Sequence, residues 1–199
     1  MEPLHVGFLW HHHQPFYKNL VTGKYLLPWV RLHAIKDYIG LLLVLREFPD
    51  IRMTINLVPS LLVQIEEYAA GRAVDDSLRL TRKPADELDE ADRRYILEHF
   101  FACNPERLIK PFPRYHELYE RCREMEPASR EAHEVLSPPV LRDIQVWATL
   151  AWFHPLVVAE DDVLRGLREK GRNFTEEEKL AMLARQDEVI GRVIPLHRE

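Results

Sequence analysis

The chain has 199 residues, 27 of them basic and 32 acidic, for a net charge of −5, and 46% are hydrophobic. That composition is globular rather than disordered, and it offers no basic stripe for a nucleic-acid partner. No apolar run reaches the ~18–20 residues of a bilayer span, so no membrane partner is expected.

Two cysteines, Cys103 and Cys122, are too few for a disulfide framework and read as reduced thiols. Met1 to Leu9 lacks a charged-then-apolar leader, which makes a cytoplasmic location the expectation. The length suits one large domain or part of a bigger one.

The first element is His5 to Pro15, HVGFLWHHHQP, which reads as a buried strand that ends in a burst of polar side chains. Alternation puts Val6, Phe8 and Trp10 on one apolar face, expected to be buried, and His5, Gly7, Leu9, His11 and His13 on the other. His11 and His13 then project together at the strand's C-terminal tip, and His12 points away. Pro15 ends the ladder because it has no N–H to donate. Helix one is expected from Val30 to Glu47, with Leu32, Ile35, Ile39, Leu42, Leu43 and Leu45 on its apolar face. A second strand, Ile51 to Val58, alternates apolar Ile51, Met53, Ile55 and Leu57 with Arg52, Thr54 and Asn56. Strand, helix, strand is a βαβ unit, so the strands should be parallel.

Pro59 suits the first turn of the next helix and Gly71 its C-terminal stop. Arg72 to Glu87 reads as a polar loop. Beyond it helices are expected at about Asp89–Phe101, Arg114–Met125, Val140–Phe153 and Leu156–Lys170, with His154 as a helix end. Thr175 and Glu178 form a capping box for a last helix. No third strand is evident. Two parallel strands cannot by themselves make a sheet covered on both faces. The chain is therefore expected to be the N-terminal part of a larger α/β domain, the alternative being a partner chain that completes it.

Several stretches resemble glycoside hydrolase family 57, in its α-amylase and amylopullulanase-like branch. They are His11-x-His13-Gln14-Pro15 after a short strand, Leu27 to His33 with Lys36-Asp37-Tyr38, and Asn56 to Leu62 with Gln64-Ile65-Glu66. The Ala-Trp-Phe-His-Pro run ending at Pro155, and Ile190 to Glu199, extend the likeness along the whole chain. The resemblance implies an incomplete (β/α)7 barrel. Residues 1–71 would be its βαβ-α start and 72–199 a mostly helical continuation. It also implies an α-glucan or maltooligosaccharide substrate and a retaining mechanism, in which two carboxyl groups stand about 5–5.5 Å apart. In the family a Glu is the nucleophile and an Asp the acid/base, both on later strands. Neither motif occurs here, so no catalytic residue carries over. The missing C-terminal part could be a separate chain, and no cofactor is implied.

The substrate-binding candidates are His11, His13, Gln14, Trp29 and Asn56. Neutral imidazoles and amides suit sugar hydroxyls because each can donate and accept. Trp29 could stack on a sugar ring or pack in the core, and Asn56 could brace a helix start. A His-x-His pair could also hold zinc, as in metal-dependent deacetylases. No Asp-Asp or His-x-x-x-His lies nearby to complete such a set, which favours sugar contact or a structural role. His33, Lys36 and Asp37 read as a solvated helix face or an anchor for the loop. The acidic runs at Glu66-Glu67, Asp75-Asp76, Glu87 to Asp92 and Glu176 to Glu178 fall on helix surfaces or starts, where acids suit the dipole.

Overall fold

In the computed structural model, which describes residues 4–125 and 136–198, two short parallel strands sit on a body of helices. Strand β1 is Leu9–His12 and β2 is Thr54–Leu57. His11 lies beside Asn56 and His12 beside Leu57. Register neighbours in a parallel pair share a face, so His11 and Asn56 project together, as alternation requires.

The expected burial of the first strand is not observed. Val6, Phe8, Leu9 and Trp10 are all more than half exposed. Among the described residues no further strand pairs with either edge, and the helical core covers the sheet at Ile55 and Leu57 of β2 and at the tip of β1. There His12 is 4% exposed, against Tyr38 and His197.

Helix α1 is built of three consecutive pieces: Trp29–His33, a π-helical stretch Ala34–Tyr38, and Ile39–Arg46. Val30, Leu32, Ile35, Ile39, Leu42 and Leu43 bury its apolar face. In the π-helical stretch the Ile39 N–H reaches Ala34 O, and the Ile35 carbonyl accepts the His154 N–H at 3.0 Å. One extra residue per turn rotates the C-terminal piece about the axis, compared with a regular α-helix.

Helix α2, Pro59–Ala69, opens on its proline and is followed by Gly71 at φ 67, the left-handed conformation glycine adopts without strain. The expected loop Arg72 to Glu87 instead holds helix α3, Asp76–Arg82, and a 3-10 turn, Ala85–Glu87. Asp75 caps α3 by accepting the Leu78 N–H, and the buried Leu78 and Leu80 anchor it.

Helix α4, Glu90–His99, starts with an Asp89/Asp92 capping box. A single turn, α5, Pro105–Leu108, precedes α6, Pro113–Cys122, and α7, Pro138–Leu150. The one helix expected over Leu156–Lys170 is two, α8 Pro155–Glu160 and α9 Asp162–Lys170, because the Asp161 side chain caps the second. His154 begins α8 rather than ending a helix: its ring accepts the Leu156 N–H.

Helix α10, Glu176–Leu196, carries the expected Thr175/Glu178 capping box. It packs against α1, α2, α7 and α9. Its Gln186 joins a fully buried ionic junction, in which Arg31 donates to Asp75 through Nε at 3.0 Å and to Gln186 through Nη1 at 2.7 Å. Tyr68 also donates to Asp75 at 2.9 Å. A buried charge needs this kind of complete partnering. A second, smaller core gathers Leu80, Leu88, Ile96, Phe100, Leu118 and Leu141 between α3, α4, α6 and α7. Among the described residues, no helix is long and apolar enough to cross a membrane.

Candidate functional site

A cleft of about 400 Å³ opens at the tip of β1, lined by His11, His12, His13, Lys36, Asp37 and His154 among others. The volume falls within the range of small-molecule sites, ~300–1,000 Å³. Strand β1 brings its histidines to the cleft, α1 brings Lys36 and Asp37, and the turn into α8 brings His154.

His11 accepts from Asn56 Nδ2 through Nδ1 at 3.1 Å, which leaves its Nε2–H as the outward donor. The His13 ring stands 5.5 Å from that of His11. Gln14 is held between two phenols: its Nε2 donates to Tyr38 at 3.0 Å, and Tyr17 donates to its Oε1 at 2.9 Å. Burial raises the Tyr38 hydroxyl to about 12, so this partner stays neutral. The loop behind is clamped by the buried Gln64, which accepts from Tyr17 N and donates to Pro15 O, both at 2.9 Å.

Asp37 is the one carboxylate among the described residues that line the cleft. His33 Nδ1 donates to it at 2.5 Å and Lys36 Nζ at 2.6 Å. Burial pushes its carboxyl up, but these two hydrogen bonds outweigh burial and hold it below the usual carboxylate range. It is an ionised acceptor at neutral pH. His154, by contrast, is uncharged there: burial lowers its pKa, Lys36 adds to that, and Asp37 opposes it.

Of the five sequence candidates, the structure brings His11, His13 and Asn56 into one group and sets Gln14 just behind them. Trp29 stands apart: it packs on Trp152, ring centroids 6.1 Å apart, and lines a separate small cavity with Cys103 and Phe100. Asn56 hydrogen-bonds the His11 ring. Sequence reasoning does not single out Lys36, Asp37 and His154 as site residues. The Leu27–Tyr38 motif holds two of them, and its reading as a solvated face hides them. The acidic runs lie elsewhere: Glu67 binds Lys18 and Tyr25, Asp75 binds Arg31, and Glu176 binds Arg142. Among the described residues, no three His, Cys, Asp or Glu side chains converge on a common metal position.

Strand tips crowded with imidazoles, a lysine and one oriented carboxylate make a site of several donors beside a single carboxylate acceptor, an arrangement able to pair with vicinal hydroxyls. The sequence pattern of glycosyl hydrolase family 57 matches residues 7–199. The chain belongs to glycosyl hydrolase family 57. Comparison with curated proteins and with solved structures gave no match. Membership in family 57 makes a carbohydrate the substrate class and glycoside hydrolysis or transfer on α-glucans the chemistry. The cleft lies at the C-terminal ends of the strands, where parallel α/β folds place their sites.

Proposed function

We propose that this chain forms the sugar-binding start of an α-glucan-active family 57 barrel, of the amylopullulanase-like kind, with His11, His13 and Asn56 on its floor. The observation that carries this is the make-up of the cleft: imidazoles and a lysine around one carboxylate. Retaining hydrolysis needs two carboxyl groups about 5–5.5 Å apart, and Asp37 has no such companion among the described residues lining the cleft. Binding is therefore the role of these residues, and the nucleophile and acid/base belong to further strands of the barrel. Support for such strands comes from β1 and β2 themselves, whose outer edges are unpaired among the described residues, and from Leu9 and Trp10 of β1, whose apolar side chains stand in solvent. Those strands, as a continuation of the polypeptide or a separate chain, are the partner the sheet calls for.

The test is paired. Binding of maltooligosaccharides is measured by calorimetry or NMR, and release of reducing ends from maltooligosaccharides and pullulan is measured on the same sample. Expected is binding without turnover, with His13→Ala weakening binding about three- to tenfold, the worth of one hydrogen bond. Turnover that disappears in His13→Ala would place an acid and a nucleophile within these residues. Absence of any binding would overturn the sugar reading.

A further inference from the structure

We infer that His154 is a sugar-contacting, specificity-determining residue, an Nε2–H donor held in the cleft by the π-helical stretch of α1 and by Gly40. The inference rests on reading the cleft as a sugar site and adds a residue from outside the strand tips.

Three constraints fix the imidazole. Its backbone N–H is bonded to the Ile35 carbonyl at 3.0 Å, within the stretch where α1 departs from regular helix. Its Nδ1 accepts the Leu156 N–H at 3.3 Å, so the neutral ring carries its proton on Nε2. Its ring lies against Gly40: a Cβ added there would overlap Cδ2 and stand 2.8 Å from both Cγ and Nε2.

The last of these has a structural cost that helix capping alone does not explain. Glycine inside a helix is less favourable than alanine by about 1 kcal/mol. Gly40 has no positive φ to justify that cost, so what it provides is room for the ring. Asp or Ser would cap α8 at least as well as a histidine and need no such room. The feature that only histidine supplies is the second ring nitrogen. Among the described residues Nε2 has no partner, and the ring lines the cleft beside Asp37.

A fixed donor next to an ionised acceptor selects a ligand that can accept at one atom and donate at its neighbour. Adjacent hydroxyls on one pyranose ring do that. His154 and Asp37 thus form the helical wall of the subsite whose floor is His11 and His13.

The experiment records histidine ring resonances of the full chain by long-range ¹H–¹⁵N NMR during titration with maltotetraose, and repeats the affinity measurement on three variants. In the wild type the ring shifts of His11, His13 and His154 are expected to move together. His154→Gln, which keeps a donor, should bind within about threefold of wild type, while His154→Leu and Gly40→Ala should weaken binding about five- to tenfold. If His11 and His13 respond while His154 does not, and His154→Leu binds like wild type, the inference is overturned and the sugar reading stands. If no ring responds, the sugar reading falls and the inference with it. Should Gly40→Ala not fold, the Gln and Leu variants decide the matter on their own.

Discussion

His12 shows what the floor of the cleft costs. It is turned away from its two neighbours, 4% exposed, with its ring 4.9 Å from Tyr38 and 5.7 Å from His197. Its Nδ1 and the Nε2 of His197 are buried without a hydrogen-bond partner among the described residues. Burial, then His197 and to a lesser degree His11, pull its pKa from 6.5 down to about 4, against the opposing pull of Asp37. The unfolded chain therefore takes up this proton first as the pH falls. The His12 contribution to stability should be lost between about pH 6.5 and 4, by something on the order of 3 kcal/mol, and level off below, where the depressed carboxylates take over the loss. Urea midpoints measured across that window should drop on acidification, and His12→Phe should remove most of the drop; an unchanged slope in the variant would assign the loss to other groups. At this scale the sequence is informative where alternation applies. His11, His13 and Asn56 share a face because a strand has period two. Asp37 is not legible, because helix counting from Leu32 assumes 3.6 residues per turn and the π-helical stretch breaks that count. His154 is hidden by Pro155, which reads equally well as a helix stop or a helix start.

Among the elements, α10 shows how polar side chains set the seating of a helix. Lys179 is fully buried; its Nζ donates to Lys83 O at 2.8 Å and to Gln145 Oε1 at 3.0 Å, and pairs with Glu176 at 2.7 Å. Gln145 of α7 in turn donates to Leu80 O at 2.7 Å, closing the end of α3. Burial lowers the Lys179 pKa, with the hydrogen bond to Glu176 opposing. Lys179→Met should strand the buried Gln145 Oε1, while Lys83 O keeps its bond from Gln145 Nε2 at 3.0 Å, and lower stability by about 1–3 kcal/mol. A lower urea midpoint at unchanged m-value is the expected reading; a midpoint at or above wild type would mean that the methionine packs as well as the ammonium bonds. The start of α10 is readable from its capping box, and that of α2 from Pro59. Helix α3 is not, because Leu78 and Leu80 lie two apart and Asp75 looks like half of an acidic pair rather than a cap. The α8–α9 break is masked by apolar spacing that continues through Asp161.

Over the whole molecule, the contrast is between a well-packed helical body and an open sheet. The βαβ start is legible, since two alternating strands flank a long amphipathic helix. The exposure of β1 is not, because a face pattern says which side is to be covered and nothing about what covers it. Unpaired edges with apolar side chains invite pairing between copies. Sedimentation velocity should show concentration-dependent self-association of this chain, and Phe8→Lys should reduce it; a monomer at all concentrations would mean the short strands are tolerated in water as they are. The Arg31 junction has a bearing on synthesis. Arg31 and Gln186 are 155 residues apart, so the buried guanidinium of α1 cannot be fully partnered until α10 has left the ribosome. Non-local closure of this kind slows folding. The nascent βαβ unit, carrying His11 to His13, waits for its support, and the interval before α10 arrives is when chaperones have most to protect.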